Sequence, residues 1–459
     1  MKSFAIENLT HPFDGSRLKE TVIRIEITED YNHPLNSSTF PEHAKSIYIN
    51  QKDPQPINYE IFPKYLPVLL LGKNYDIPLD KNSLPKFLEL LKLKKYDWVF
   101  GTGEDCPFPP TLKTLYLGRN YPHPINYEMF PENLSKLVIG DEYPHPLDEN
   151  SLPKNLKYLN LGSCYNCMLR HYVFPETLVW LCIGDNYGCV LDEFSLPRTI
   201  RSLTIGKSYP HQFLENIFPK TLVSLIIRCD YSYALDKEIF PPNLEQLALI
   251  GRIPHPLTSE SFPDGLKSLA LFGDYEFQIS KEIFPEDIKC LYLGNNDYEI
   301  HRDNFPENLK LLSLGRHYDH KLHKHSLPPN LVKLSLGKYY SHPIGTELPD
   351  SIKHINIGLN FNSEINIKCL PSNLETIKVS SSEQLQLFNI MANSMYFCVI
   401  VSELPDLVEF TYPVFIRSTR FYHEQYCKIG EKIIRKKKHF QLVNPNCYMC
   451  GSRAKSAKK

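Results

Sequence analysis

The chain lacks the hydrophobic runs that would place it in or across a membrane. Its 459 residues contain no uninterrupted apolar stretch of about 18 residues, the length that a membrane-spanning helix requires. The first residues, MKSFAIENLTHPFDG, contain no apolar core of the kind found in secretory signals. We therefore expect an intracellular protein located in the cytoplasm, with the nucleus as the alternative.

The chain also has almost no net charge. Its 51 Lys and Arg residues and 52 Asp and Glu residues leave a formal charge of −1 at pH 7. Nothing in this balance favours nucleic acid or an anionic membrane as a partner. The exception is the segment 431–459, which contains the run RKKKH and further lysines. This segment is either a solvated tail or a contact for nuclear import or nucleic acid.

Sequence signatures of catalysis are absent as well. The chain contains no G-x-S-x-G nucleophile turn, no H-E-x-x-H metal motif and no glycine-rich phosphate loop. Its Ser, His and Asp residues recur in phase with a repeat, which favours structural roles for them. We therefore expect a protein that is not an enzyme and that uses no cofactor.

The twelve cysteines are scattered and do not recur once per repeat, so we expect reduced thiols instead of a disulfide ladder. One pair, Cys447-x-x-Cys450, lies near Cys427 and His439 in the sequence, and these four residues are candidate zinc ligands. A structural zinc site usually needs about four ligands with paired spacing, and only one such pair is present. Unligated thiols are therefore the favoured interpretation.

What the sequence does contain is a repeat that covers most of its length. Each unit begins with a Phe or Leu followed by Pro, and twelve of the fifteen intervals between these anchor prolines are 22 residues. A fixed period of this kind indicates a solenoid, in which each unit buries its core only against its neighbours. The anchors are Pro41, Pro63, Pro85, Pro109, Pro131, Pro153, Pro175, Pro197, Pro219, Pro241, Pro263, Pro285, Pro306, Pro328, Pro349 and Pro371.

Each unit has the pattern of one short strand and a return segment. Counting from the anchor Pro as zero, positions +3, +6 and +8 are apolar in all sixteen units, as in Leu112, Leu115 and Leu117. Positions +6 and +8 alternate with +5 and +7, which is the period of a strand. A Gly follows at +9 in ten units, where we expect a positive φ or a close approach of the backbone. The Pro-rich return segment predicts extended or 3₁₀ structure.

These units resemble the FNIP repeat, a leucine-rich-repeat-like unit of about 22 residues found in amoebal proteins and in giant viruses that infect amoebae. The resemblance is carried by segments such as YPHPI at 121–125, FPENL at 130–134 and LVIG at 137–140, and it covers about residues 20–380. It implies no catalytic residues, and a viral origin would imply the host-cell cytoplasm. Some members carry an F-box, which implies ubiquitin-type substrate recruitment, but residues 1–20 are too few for one.

We therefore predict a β-rich solenoid, a leucine-rich-repeat-like stack of about 16 coils with one parallel sheet, irregular or 3₁₀ return arms and a small C-terminal cap. The predicted boundaries are an N-terminal cap at 1–20, the solenoid at 21–380, a C-terminal cap at 381–430 and a basic, flexible tail at 431–459. A cap is expected because the last coil would otherwise expose its apolar face.

Positions +5 and +7 point away from the predicted core and offer a surface for a partner. Tyr158 and Trp180 hold the same position in adjacent units, so we expect them to lie about one strand spacing apart. Tyr and Trp are enriched in binding hot spots. The alternative is that these are scattered surface residues of a Tyr-rich protein. The candidate partner-binding residues are Tyr116, Tyr158, Trp180, Cys182, Ile226 and Tyr292.

The interval between Pro85 and Pro109 is 24 residues and contains Trp98. It is either a drifted unit with a bulged loop or an insertion used for contact. Histidines also recur beside the Pro of the return arm, as His123, His145, His211, His255 and His342. Their periodicity favours a packing or turn role over metal binding, because single residues on successive coils rarely converge on one ion.

The sequence as a whole predicts a non-enzymatic repeat scaffold for protein–protein interaction. We expect a protein partner of unknown identity, a monomer, and no membrane contact. Two alternatives stay open: a substrate-recruiting adaptor in ubiquitin-type degradation, and a nuclear or nucleic-acid contact made through the basic tail.

Overall fold

The structure is a computed structural model that describes residues 2–7, 11–295, 297–363, 365–366, 369–379, 384 and 398–401. The predicted basic tail lies outside these residues, as do the zinc candidates Cys427, His439, Cys447 and Cys450. Of the predicted C-terminal cap, only 384 and 398–401 are described. The zinc site and both C-terminal boundaries therefore stay predictions.

Short parallel strands, one for each repeat, dominate the described residues. They divide into two compact units: the first extends to Tyr231 and includes Glu238–Leu244, and the second comprises Ser232–Lys237 and the chain from Glu245. The first unit contains β1 (Lys2–Ile6), β2 (Val22–Ile27), β3 (Ser46–Ile49), β4 (Val68–Leu71), β5 (Leu90–Leu93), β6 (Thr114–Tyr116), β7 (Lys136–Val138), β8 (Tyr158–Asn160), β9 (Trp180–Cys182), β10 (Ser202–Ile205) and β11 (Ser224–Ile227). The second contains β12 (Gln246–Leu249), β13 (Ser268–Leu271), β14 (Cys290–Leu293), β15 (Leu311–Ser313), β16 (Lys333–Ser335), β17 (His354–Asn356), β18 (Thr376–Val379) and β19 (Cys398–Val401).

The register of these strands follows the repeat. Within the first unit, Leu115 pairs with Leu137 and Leu137 with Leu159, so that equivalent residues of successive coils form a single file. The same register joins Leu269 to Leu291 in the second unit. The predicted leucine-rich-repeat-like solenoid with a parallel sheet is therefore confirmed. The segment 1–20 also contributes a strand, because β1 pairs in parallel with β2.

The core consists of the apolar positions that the repeat predicts. The residues at +3, +6 and +8 of all sixteen units are at most 5% exposed. A buried Tyr of the return arm adds to this core in most coils, as Tyr143 and Tyr165 do. Each coil covers the apolar face of the next, which is why the fold can repeat without a separate globular core.

The glycines after the strands are required by close contact between coils. A Cβ added to Gly140, Gly184 or Gly206 would overlap the carbonyl oxygen of the equivalent Gly in the preceding coil. Among the glycines at +9 in the described residues, only Gly162 has a positive φ, of 79°. Two reasons for Gly at this position were predicted. The close approach of neighbouring coils applies to most of these glycines, whereas a positive φ applies to Gly162.

The return arms contain short 3₁₀ turns, as predicted, and are tied together by side chains. The Tyr165 hydroxyl accepts a hydrogen bond from the Leu147 amide of the preceding coil at 3.2 Å, and Tyr143 binds the Ile125 amide in the same way at 3.0 Å. No helix in the described part of the chain has the length and apolar character needed to cross a bilayer. The 3₁₀ turns are Gly15–Arg17, Tyr59–Ile61, Gly103–Asp105, Tyr127–Met129, His171–Val173, Lys237–Ile239, Lys281–Ile283 and Arg302–Asn304.

The recurring histidines have the packing role that their periodicity predicts. His145 places Nε2 2.7 Å from the Pro122 carbonyl oxygen of the preceding coil, and its ring packs edge-on against Tyr143. His211 makes the equivalent contact with the Gly188 carbonyl at 2.7 Å. Asn and Thr at +2 add a second ladder of such bonds, as from Asn155 to the Glu132 carbonyl at 3.0 Å. The sequence reasoning did not identify this second ladder.

Candidate partner-binding face

The outward side chains of β3–β9 form one continuous surface of the first unit, which we call the strand face. Because each strand pairs in register with the next, position +5 lies beside +5 and position +7 beside +7. The strand face consists of Ser46, Tyr48, Val68, Leu70, Leu90, Lys92, Thr114, Tyr116, Lys136, Val138, Tyr158, Asn160, Trp180 and Cys182. Apart from Lys92 and Lys136, its members are uncharged, and none carries a carboxylate.

Two aromatic rings stack at one end of this surface. Tyr158 and Trp180 are directly paired across β8 and β9, as their equivalent positions predict. Their ring centroids lie 3.8 Å apart, and the ring planes differ by only 4°. Both side chains are half-buried, and burial raises the pKa of the Tyr158 hydroxyl. The pair is therefore a rigid, preformed apolar platform instead of two independent surface side chains.

Lysines extend this platform into a ladder of alternating rings and amines. The Lys136 Nζ lies 4.1 Å from the centroid of the Tyr158 ring and 5.5 Å from that of Tyr116. The Lys92 Nζ lies 5.2 Å from the Tyr116 centroid on the other side. Such cation–π contacts hold the amines over the rings while leaving their charge uncompensated. Lys92, Tyr116, Lys136, Tyr158 and Trp180 are called the aromatic–lysine ladder below.

Three other predicted partner residues, Cys182, Ile226 and Tyr292, are less accessible to a partner or lie outside the strand face. Cys182 ends the strand face beside Trp180 and is half-buried, and this burial raises the pKa of its thiol to about 11. Ile226 is only 8% exposed, so little of its side chain can reach a partner. Tyr292 belongs to the second unit, where it contacts Phe272, and burial raises its pKa to about 12. The partner-binding role of all six residues stays a prediction.

The outward positions of the second unit have a different chemistry. Small residues are common there, among them Ala248, Ala270 and Ser313. Burial lowers the pKa of Lys333 and that of His354, whose Nδ1 lies 2.9 Å from the Thr376 hydroxyl. The described residues of this unit therefore offer no stacked aromatic pair comparable to Tyr158 and Trp180 at their outward positions.

Exposed apolar residues also occur on the return arms of the first unit, which the sequence reasoning did not identify as a group. Met168 and Val190 hold the same position in adjacent coils and are 58% and 53% exposed. Trp98 is 46% exposed, and its indole N–H donates to the Asp76 carbonyl at 3.2 Å. We call Trp98, Val99, Met168, Tyr172, Val190 and Phe194 the return-arm surface.

The long unit between Pro85 and Pro109 keeps the coil intact. Phe100 stacks between Tyr96 at 4.7 Å and Tyr121 at 5.2 Å, so it fills the core position that Ile125 fills in the next coil. The loop around the 3₁₀ turn Gly103–Asp105 is three residues longer than its counterpart in the next coil, and the segment before Tyr96 is one residue shorter, which gives the net increase of two. This geometry fits the interpretation of a drifted unit with a bulged loop.

No metal centre accompanies either surface in the residues that the structure describes. Nowhere among them do three or more His, Cys, Asp or Glu side chains gather in a way that could hold a metal ion. The nearest charged cluster to Cys182 is an ion-pair group, in which Asp185 binds Arg228 at 2.7 Å and Lys207 at 3.4 Å.

The family comparison agrees with the repeat seen in the structure. The model of the FNIP repeat matches residues 123–164, 143–186, 191–230, 296–339 and 340–382. The chain contains FNIP repeats. The matched FNIP repeats are part of the leucine-rich-repeat-like solenoid described above, a class of scaffold that typically serves protein–protein interaction. A comparison with curated proteins gave no match.

Among solved structures, the FNIP repeats are similar to CroV588, a protein of a giant virus described as a novel circular LRR protein. The TM-score is 0.56 at 24% identity, covering 80% of this chain and 57% of that one, so this chain spans little more than half of its length. Two further structures have lower TM-scores. YopM from Yersinia enterocolitica has a TM-score of 0.32 at 17% identity, covering 78% of this chain and 80% of that one. A chain of the Drosophila Toll–Spatzle complex has a TM-score of 0.40 at 14% identity, covering 82% of this chain and 63% of that one. These likenesses concern the fold alone.

Proposed function

We propose that this protein is a non-enzymatic scaffold that binds a protein partner through the strand face of its first unit. The observation that supports this most directly is the stacked pair of Tyr158 and Trp180, continued by Lys136 and Tyr116 across neighbouring strands. Rigid aromatic side chains lose little conformational entropy on binding, which makes such a platform a good anchor.

Two further features favour the strand face over the rest of the unit. Its side chains are uncharged except for lysines, so a partner would not have to desolvate carboxylates. The ladder spans five neighbouring strands, β5–β9, at about 4.8 Å per strand, so it offers a contact roughly 20 Å long. The nucleic-acid alternative concerns the basic tail at 431–459, which lies outside the described residues.

Affinity capture with matched variants tests this proposal. The double variant Tyr158→Ser and Trp180→Ser should capture at least tenfold less of the partner than the wild type does. Buried aromatic anchors carry most of the energy of an interface. The control is Met168→Ser with Val190→Ser on the return-arm surface, which should retain the partner. Thermal melting of both variants verifies that each remains folded.

Quantitative mass spectrometry of the captured proteins reads out the result. The proposal holds if at least one protein depends on the aromatic pair and not on the return-arm pair. It fails if the strand-face variant retains every captured protein, or if only the return-arm variant loses one.

A further inference from the structure

Three lysines on the strand side of the first unit lack the carboxylate partner that neighbouring lysines have. Lys92 and Lys136 belong to the ladder, and the Lys94 Nζ lies 5.2 Å from the centroid of the Tyr48 ring. In the described part of the chain, none of the three forms an ion pair. By contrast, Lys113 binds Glu89 at 2.8 Å and Lys95 binds Asp97 at 3.0 Å.

The strand face provides no anion to compensate Lys92 and Lys136, whereas the charge of Lys94 acts on the nearby Glu29 carboxylate and helps to lower its pKa. The strand face contains no Asp or Glu from β3 to β9. Glu26 on β2 lies at its boundary, beside Tyr48, and the nearby Glu29 is held by Lys73 at 2.9 Å. The whole chain has a net charge of only −1, so the positive charge of this surface is local and does not reflect a basic protein.

We infer that the partner presents an acidic segment, a stretch of chain whose Asp or Glu side chains meet Lys92, Lys94 and Lys136. This inference rests on the proposed function and specifies the chemistry of the partner. Lys92 and Lys136 lie two strands apart, a separation of about 10 Å, so one segment that crosses the strands can reach both amines. The tyrosine rings hold the amines in place and reduce the entropy lost on binding.

A protein segment fits this surface better than a nucleic acid. Only three amines are available and no Arg lies on the strand face, whereas nucleic-acid binding usually uses an extended basic groove. The facing rings of Tyr158 and Trp180 are stacked on each other, so no base can enter between them.

Selection from a displayed library of random peptides tests the inference. Peptides are selected on the wild type and then measured on the triple variant Lys92→Gln, Lys94→Gln and Lys136→Gln. Selected peptides should be enriched in Asp and Glu, and their affinity for the triple variant should fall about tenfold, since exposed charge pairs contribute modestly each. Raising the salt concentration should reduce the affinity for the wild type toward that of the variant.

Matched controls come from two lysines that also lie over tyrosine rings but away from the strand face. The Lys86 Nζ is 4.8 Å from the Tyr59 centroid and the Lys154 Nζ is 5.8 Å from the Tyr127 centroid. The double variant Lys86→Gln and Lys154→Gln should bind the selected peptides as the wild type does. A charge-reversed variant, Lys92→Glu with Lys94→Glu and Lys136→Glu, should lose acidic peptides and bind peptides in which Lys replaces their acidic residues.

The outcomes separate this inference from the proposed function. Peptides that require Tyr158 and Trp180 but show no acidic enrichment overturn the acidic partner and leave the proposed function intact. Peptides that require neither the aromatic pair nor the three lysines overturn both. A single-stranded oligonucleotide that binds the wild type and loses affinity for the triple variant, while peptides do not, would show that the lysines serve nucleic acid instead.

Discussion

The strand face and the return-arm surface of the first unit both expose apolar groups, but only one of them leaves charge unsatisfied. On the return arms, polar groups are bound to the preceding coil, as the Trp98 indole and the His145 ring are. On the strand face, the amines of Lys92 and Lys136 lie over tyrosine rings. The polar groups of the return arms therefore help to hold the coils together, whereas Lys92 and Lys136 form no ion pair with any described residue.

The largest expected effect on stability comes from replacing a glycine at the end of a strand. Gly184 at the strand end and Gly188 on the return arm belong to the same coil and can be compared directly. In Gly184→Ala the new Cβ would overlap the Gly162 carbonyl oxygen, so we expect a loss of about 3 kcal/mol or more in the free energy of unfolding. Gly188→Ala on the return arm meets only the Asn166 Oδ1 at 3.7 Å and should change stability by less than about 0.5 kcal/mol. Urea denaturation measures both, and equal effects would remove the distinction.

A smaller effect is expected for the tyrosine hydroxyls of the return arms. Tyr165→Phe leaves the buried Leu147 amide without its acceptor and should cost about 1–3 kcal/mol. Tyr121→Phe is the matched control and should cost less, because the buried Tyr121 hydroxyl has no hydrogen-bond partner of normal geometry among the described residues. A cost for Tyr121→Phe as large as for Tyr165→Phe would show that these hydroxyls do not join the coils.

The stacked pair on the strand face should contribute less to stability than the return arms do. A double-mutant cycle with Tyr158→Ala and Trp180→Ala should give a coupling energy of about 0.5–1.5 kcal/mol, the usual range for aromatic pairs. The equally adjacent pair Ser202 and Ser224 should give a coupling near zero. A coupling above about 3 kcal/mol for the aromatic pair would assign it to the core and weaken its role as a platform.

The smallest effect is chemical and does not alter the fold. Because burial raises the pKa of Cys182 to about 11, roughly one Cys182 thiol in a thousand is ionised at pH 8. Its alkylation should therefore be slow and should accelerate about tenfold per pH unit up to that pKa. Mass spectrometry should find the exposed Cys164 labelled first, and equal labelling of the two at pH 8 would contradict the burial of Cys182.

Much of the fold could be predicted because the period determines it. The interval of 22 residues places Leu115, Leu137 and Leu159 in one file, and the burial of +3, +6 and +8 follows from the apolar pattern. The division into two units could not be predicted, since the repeat continues in phase through residues 232–244 and gives no signal there.

The candidate site could be predicted only in part. Equal positions in adjacent units identify neighbours such as Tyr158 and Trp180, because these depend on the register alone. The register also makes Lys92 a neighbour of Tyr116 and Lys136 a neighbour of Tyr158, but whether an amine lies over a ring depends on side-chain conformation, which the sequence does not determine. For the same reason the burial of Ile226 could not be inferred from its outward position.

The chain's two tryptophans allow one direct measurement of the central claim, because Trp180 lies on the strand face and Trp98 on the return-arm surface. Trp98→Phe leaves Trp180 as the only indole, and Trp180→Phe leaves Trp98. Acrylamide quenching of each variant is measured with and without a selected acidic peptide. We predict that the peptide shields Trp180 and leaves the quenching of Trp98 unchanged. Shielding of Trp98 alone would contradict the assignment of the strand face as the binding surface.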